Sequence, residues 1–114
     1  MSAAARLEEM RASVVARIAQ MDGDMAALVA ASRGSNADDE HDPEGQTIAY
    51  ERAQLASLTR EAHAALAEVD AATARLSDGR YGLCEVCHEP IGDGRLAARP
   101  TARACIRHAG GRRS

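Results

Sequence analysis

The chain has 114 residues, a formal net charge of −3 and very few large side chains, with no Phe, no Trp and two Tyr. Much of its apolar content is alanine, which favours helices but offers little area to bury. These properties exclude an ordinary thick core. They favour thin helix-on-helix packing with a metal ion as an added stabilising element.

The N-terminal segment carries charged residues where a signal peptide would need an apolar run. The longest uncharged apolar stretch there, residues 25–32, is too short to cross a bilayer. We therefore expect a cytoplasmic protein with no membrane segment, in which the thiols stay reduced. Reduced thiols favour metal binding over disulfides.

The first predicted element is a helix that ends near Gly34. Apolar residues recur at steps of three or four and form one stripe: Leu7, Met10, Val14, Ile18, Met21, Met25 and Leu28. Charged residues occupy the remaining faces, so we expect the stripe to be the packed side of the helix.

Residues 35–46 form a predicted acidic tip between two helices, because glycine, proline and acids cluster there. The acids are Asp38, Asp39, Glu40, Asp42 and Glu44. One interpretation is a solvated loop. The other is a set of carboxylates that reaches a metal or basic site in a partner; their spacing is not that of an EF-hand.

The second predicted helix runs from about Thr47 to Leu76. Seven-residue spacing joins Ile48, Leu55, Ala62, Val69 and Leu76, and Leu58, Ala65 and Ala72 fill the alternate positions. This heptad pattern predicts a left-handed coiled coil. Because the connection is short, an antiparallel hairpin within one chain, hence a monomer, is the simplest pairing; a dimer of longer helices is the alternative.

Cysteine and histidine at the end of the chain predict one structural zinc ion. Cys84 and Cys87 form a Cys-x-x-Cys pair, and Cys105 and His108 form a Cys-x-x-His pair after 17 intervening residues. Two tight pairs separated by such a loop suit a closed tetrahedral site. The alternatives are His88 as the fourth ligand and Cys84 with Cys87 as a redox dithiol.

The predicted fold class is thus all-α. An antiparallel coiled-coil helical hairpin spans residues 1–78, and a small C-terminal zinc-finger segment with a short basic tail spans residues 79–114. No nucleophile–base pair, open metal site or phosphate loop is visible, so we expect no enzyme.

Arginines accumulate in the last part of the chain, where residues 78–114 carry seven arginines against four acids. Four of them could neutralise the net charge of a zinc–thiolate site or lie in solvent: Arg80, Arg95, Arg103 and Arg107. Sequence-specific DNA binding is not expected, because aromatic stacking groups are missing and the net charge is negative. A zinc-stabilised binding module for another protein or for DNA is the alternative function.

The zinc stretch resembles the DksA/TraR family of bacterial zinc proteins. The resemblance rests on the segment GRYGLCEVC at residues 79–87, Pro90-Ile91, Arg95-Leu96, Ala98-Arg99-Pro100 and Cys105, and on the preceding helix–acidic turn–helix order. It implies a transcription regulator that binds RNA polymerase through the secondary channel. The tip would then approach the catalytic magnesium and modulate initiation, often together with the alarmone ppGpp.

Two departures from the family pattern bear on these implications. The tip motif of the family, two aspartates three apart and then alanine, corresponds to Asp39 and Asp42 with Glu44 in the alanine position; Asp38 adds a further tip acid. His108 stands where the family often has a fourth cysteine. A C-terminal helix and a long N-terminal extension are missing, so we do not expect ppGpp dependence to transfer with the motif.

Overall fold

The computed structural model describes residues 1–34 and 43–109, apart from the side chains of residues 43 and 44. Helix α1 spans Ala3–Gly34, α2 spans Pro43–Asp78, α3 spans Asp93–Ala98, and a single 3₁₀ turn spans Ile106–His108. The part described contains one isolated β-bridge and no strand. No helix within it is both long and apolar enough to span a membrane. The predicted all-α hairpin followed by a zinc segment is confirmed.

Helix α1 begins where Ser2 caps it, since the Ser2 Oγ accepts a hydrogen bond from the Ala5 N–H at 3.1 Å. It ends at Gly34, as predicted. All seven residues of the predicted apolar stripe are buried or half-buried, with Leu7, Val14, Ile18 and Met21 in the core. The apolar periodicity therefore identified the packed face correctly.

Helix α2 begins at Pro43, four residues before the predicted start at Thr47. The prediction treated Pro43 as a loop residue. Proline suits the first turn of a helix, because its fixed φ is helical and the missing N–H would have no partner there. Glu44 therefore lies in the first turn of α2, whereas Asp38, Asp39 and Asp42 lie outside the described residues.

Helix α2 ends in a glycine motif that turns the chain toward the zinc segment. Gly79 has a φ of 77°, a left-handed conformation that glycine adopts without steric cost. Its N–H donates to the Leu76 carbonyl at 3.3 Å, and the Arg80 N–H donates to the Arg75 carbonyl at 2.9 Å. These two bonds satisfy carbonyls that the helix leaves free.

The described chain divides into two compact units, one of which is residues 13–65. Within it the helices pack antiparallel: Thr59 Oγ1 lies 3.9 Å from Met21 Sδ, and Met25 shares a groove with Ala53. Ala62 is buried as the heptad pattern predicts, but Leu58 is 47% exposed. The alternate position at residue 58 thus lies at the edge of the seam.

The other unit contains residues 1–12 and, of the described chain, residues 66–109. Its helix ends also pack antiparallel, with Leu7 against Val69 and Ala72, and the Arg11 Nε 2.8 Å from an Asp70 carboxylate oxygen. Packing thus groups the zinc segment with the adjoining helix ends. The domain boundary between residues 78 and 79 stays a prediction.

Candidate metal centre

The first ligand pair lies on a tight turn that folds back on itself. The Cys84 N–H donates to the Glu89 carbonyl, and the His88 N–H donates to the Cys84 carbonyl, both at 2.8 Å. The Val86 N–H points at the Cys84 sulfur, 3.4 Å away. The sulfur atoms of Cys84 and Cys87 belong to one cluster of ligand atoms.

His88 closes this turn and is not part of the ligand cluster. Its φ of 64° is left-handed, a conformation that histidine adopts more readily than most residues. The residue is exposed, and the cluster of potential ligands is completed by His108 instead. The sequence alternative of His88 as the fourth ligand finds no support in this geometry.

The second ligand pair is carried by the 3₁₀ turn Ile106–His108, whose His108 N–H donates to the Cys105 carbonyl at 2.9 Å. A backbone bond of 2.8 Å from the Glu85 N–H to the Arg103 carbonyl joins the segment before this turn to the first turn. Helix α3 supports it from the side, because Leu96 packs in one cluster with both buried cysteines.

The four predicted ligands converge with spacings that suit zinc. Their ligand atoms all lie within 4.8 Å of one another. Cys87 Sγ and Cys105 Sγ are 3.8 Å apart, and His108 Nδ1 lies 3.7 Å from Cys84 Sγ and 3.2 Å from Cys105 Sγ. Zinc–sulfur bonds of about 2.3 Å in a tetrahedron require sulfur atoms about 3.8 Å apart. The site therefore fits one zinc ion.

Backbone N–H groups favour the thiolate form of the first cysteine. Burial disfavours that charge, but N–H groups of Cys87, Cys105 and Val86 lower the pKa of Cys84 to about 5. The Glu89 N–H acts in the same direction on Cys87, yet burial and the adjacent sulfur atoms outweigh it and raise the pKa of Cys87. Three sulfur atoms so close resist full ionisation until a cation joins them.

The second pair shows the matching pattern. Burial opposes the Cys105 thiolate, but the hydrogen bond with His108 and the Arg107 N–H lower the pKa of Cys105. The sulfur atoms of Cys105 and Cys84 raise the pKa of His108. A positive charge is thus favoured at the centre of the cluster, which is the charge that a divalent cation supplies.

Four protein ligands fill a tetrahedral zinc site, so the zinc is structural. Cys84, Cys87, Cys105 and His108 would hold it, and the ion would fix the two turns relative to each other. Membership of Cys84 and Cys87 in this four-ligand cluster also argues against the redox dithiol alternative. The predicted tip residues Asp38, Asp39 and Asp42, and the side chain of Glu44, lie outside the described part of the chain, so the tip site stays a prediction.

Side chains outside the ligand set attach the zinc segment to α2. Arg103 forms a bidentate pair with Glu68, with N–O distances of 2.9 and 3.2 Å. Tyr81, in the zinc segment, packs against Val69 and Ala72 of α2, and its hydroxyl donates to the Pro100 carbonyl at 2.8 Å. Arg75, buried on α2, donates to the carbonyls that follow Pro100. Sequence reasoning missed these contacts, although helical spacing from Ala72 places residue 75 on the buried face.

Three of the four arginines considered as counter-ions for the zinc centre have other partners. Arg80 pairs with Asp78 at 2.7 Å, and Arg103 pairs with Glu68. The Arg95 Nε donates to the Ala104 carbonyl at 3.0 Å. These three arginines thus contact groups other than the ligand sulfur atoms.

Residues 79–107 match the family model described as "Prokaryotic dksA/traR C4-type zinc finger". The matched segment contains the three cysteines and ends one residue before His108. The C-terminal segment of this chain is thus similar to a zinc finger of the DksA/TraR type. His108 replaces the fourth cysteine that the name of the family model implies, and it supplies the remaining ligand atom from the same turn.

Two curated relatives from Caulobacter vibrioides strains carry the name "RNA polymerase-binding transcription factor DksA". Each is 54% identical over 41 residues, which are 36% of this chain and 29% of the relative. An uncharacterized protein from Aquifex aeolicus is 37% identical over 60 residues, 53% of this chain and 41% of that protein. The alignments thus span less than half the length of these relatives.

The fold also matches a solved structure, that of transcription factor DksA2 from Pseudomonas aeruginosa. The TM-score is 0.59 at 24% identity, and the match covers 96% of this chain and 84% of the other. This match extends the likeness in fold beyond the zinc finger to both long helices.

Proposed function

We propose that this protein is a DksA-like, cytoplasmic, non-enzymatic transcription regulator that acts as a monomer by binding bacterial RNA polymerase. The observation that carries the proposal is a four-ligand zinc centre built on a DksA/TraR-type finger, directly after a helical hairpin. The name of the Caulobacter relatives states polymerase binding for those proteins and supports it here.

The proposed docking site on the polymerase is the secondary channel, with the acidic tip near the catalytic magnesium. The sequence supports this, because Asp38, Asp39 and Asp42 fall in sequence between the two long helices, and Glu44 falls in the first turn of α2. Carboxylates are hard oxygen donors suited to a magnesium-bearing site. The tip would thereby modulate transcription initiation.

A direct binding comparison tests the first part. The zinc-loaded protein is expected to retain RNA polymerase in a pull-down and to leave promoter DNA unshifted in a gel assay at the same stated salt. The opposite result, a DNA shift without polymerase retention, would establish the alternative of a zinc-stabilised DNA-binding module. If the protein binds neither polymerase nor DNA, a binding module for another protein becomes the better proposal.

The tip is tested by in vitro transcription with the Asp39→Asn/Asp42→Asn variant, with and without ppGpp. We expect the variant to bind polymerase but to lose its effect on initiation, because it keeps the fold and loses two carboxylates. The matched control is Glu8→Gln/Glu9→Gln, which removes two exposed carboxylates from α1. Unchanged regulation by the tip variant would refute the tip role, and loss of polymerase binding would relocate the docking surface.

A further inference from the structure

An open groove lies between α1 and α2 in the unit formed by residues 13–65. Its volume is about 440 Å³, within the range of binding pockets. Four apolar and three polar side chains line it: Ala27, Leu28, Leu55 and Leu58, and Asp24, Glu51 and Gln54. Two carboxylates and no basic group thus border this space, which we call the acidic groove.

The apolar side chains of the acidic groove are only partly covered by the hairpin. Leu28 and Leu55 belong to the predicted seams, yet both are half-buried, and Leu58 is 47% exposed. By contrast, Met21 and Ala62 on the same two helices are buried. Since removing apolar area from water is favourable, a partner that covers these leucines gains free energy from hydrophobic burial.

Both carboxylates of the groove are exposed. In the part of the chain that the structure describes, no salt bridge involves Asp24 or Glu51. Asp24 lies on α1 and Glu51 on α2, so both helices contribute negative charge to the groove. A ligand that carries apolar and cationic side chains together is therefore complementary to it.

The backbone around the groove favours a helical ligand over an extended one. The lining residues lie inside Ala3–Gly34 and Pro43–Asp78, away from the first and last turns, so their N–H and C=O groups are bonded within the helices. An extended peptide would find no free backbone groups to pair with, whereas a helix satisfies its own. Glu51, Leu55 and Leu58 follow helical spacing over about two turns, which matches two turns of a partner helix.

A second copy of the chain fits the groove less well than a basic helix does. In a symmetric dimer the same patch faces itself, so the Asp24 and Glu51 carboxylates of both copies would meet around the leucines. Like charges at such an interface oppose pairing. The charge of the groove therefore favours a different partner, of opposite sign.

We propose that the acidic groove binds an amphipathic helix of a partner protein, one that presents leucine-type side chains beside lysine or arginine. Leu55 and Leu58 supply the apolar contact, and Asp24 and Glu51 pair with the cations of the partner helix. This surface goes beyond the proposed function, because neither the zinc centre nor residues 35–46 take part in it.

The test is an NMR titration of the full zinc-loaded chain with a synthetic, alanine-rich peptide of about 18 residues, a length that forms a helix in water. The peptide carries leucines on one face and lysines beside them. In one reference peptide glutamate replaces lysine, and in another a central proline interrupts the helix. At about 0.15 M salt, which screens non-specific adsorption, we expect saturable shifts of the Asp24, Leu55 and Leu58 amides with the first peptide alone.

Four single variants at exposed positions assign the contacts, and each should keep the thermal midpoint of the parent chain. Leu58→Gln should weaken binding about fivefold or more, because it removes apolar contact area. Asp24→Asn and Glu51→Gln should each weaken it about twofold to fivefold, the effect of one exposed ion pair. The matched control is Glu61→Gln, which removes an exposed carboxylate of α2 outside the groove and should leave the affinity unchanged.

The proposal is overturned if the leucine–lysine peptide causes no saturable shifts, or if its shifts map to residues 35–46 instead of the groove. Equal binding of the glutamate peptide, or unchanged affinity of both Asp24→Asn and Glu51→Gln, rejects the charge complementarity. Equal binding of the proline peptide rejects a helical ligand. Shifts of the groove amides that depend on the concentration of the chain alone would identify a second copy as the occupant instead.

Discussion

Tyr81 contacts both buried clusters of its unit, the one around Cys84 and the one around Leu7. Its hydroxyl donates to the Pro100 carbonyl at 2.8 Å, so the ring connects α2 to the loop before the second ligand pair. One aromatic side chain thus provides much of the packing that a chain without Phe and Trp cannot provide elsewhere.

We expect Tyr81→Phe to lower the free energy of unfolding by about 1 kcal/mol, because the Pro100 carbonyl loses its donor. Tyr81→Ala should cost about 3 kcal/mol or more, since it also opens a cavity between the two clusters. Urea unfolding at a fixed concentration of free zinc measures both effects.

The matched control is Tyr50→Phe, at a residue that is 71% exposed, where the change should stay within about 0.5 kcal/mol. Equal effects of the two Tyr→Phe changes would contradict the structural role assigned to the Tyr81 hydroxyl.

Buried Arg75 shows what residue types alone do not reveal. Its burial lowers the pKa of the Arg75 guanidinium, and the nearby positive charge of Arg103 acts in the same direction. The sequence pattern could place residue 75 near the seam by its spacing from Ala72. It could not show that the loop carbonyls of Thr101 and Ala102 would lie above it, because that contact joins residues far apart in the chain.

At the scale of elements, the zinc segment has little regular structure of its own. Helix α3 has six residues and the 3₁₀ turn has three. Its core consists of the buried residues Cys84, Ile91, Leu96 and Cys105. Two of these four residues, Cys84 and Cys105, are metal ligands, so the packing of this core depends on metal binding.

We therefore expect removal of zinc by a strong chelator to unfold residues 79–108 while the helices of residues 13–65 persist, because metal binding energy is folding energy here. Amide hydrogen exchange followed by NMR should show protection lost at Cys84, Ile91 and Leu96 but kept near Ala62.

His88→Gln is the matched control, since it changes an exposed histidine outside the ligand cluster and should leave zinc retention unchanged. Cys84→Ser should behave like the chelated protein. Protection of Cys84 and Ile91 that survives chelation would contradict the metal-dependent fold.

The long helices and the ligand set were predictable from sequence because their signals are local. The apolar spacing of three, four or seven residues predicts each helix from its own residues alone. The Cys-x-x-Cys and Cys-x-x-His pairs likewise predict two pairs of ligands for one metal ion. The start of α2 was placed too late because Pro43 serves equally as a loop residue and as a helix start. Helix α3 and the pair of Arg103 with Glu68 were missed because they depend on packing between distant segments.

At the scale of the whole molecule, the burial of each apolar seam within one chain bears on the oligomeric state. Val14, Ile18, Met21 and Ala62 are buried without a second copy. The large apolar residues that remain exposed, among them Val15, Tyr50 and Leu58, are separated in sequence by helical surface positions. A helix dimer would need a continuous exposed apolar face. The apolar seams that could provide one are already buried within the single chain.

We accordingly expect a monomer of 12.0 kDa. Sedimentation equilibrium of the zinc-loaded protein should give this mass, and the thermal midpoint should not change with protein concentration between about 10 µM and 1 mM, since coupling to association would make it rise. Leu58→Gln, at the exposed edge of the seam, should leave the mass unchanged. A doubled mass that Leu58→Gln restores to 12.0 kDa would show instead that the helices pair between chains through this edge.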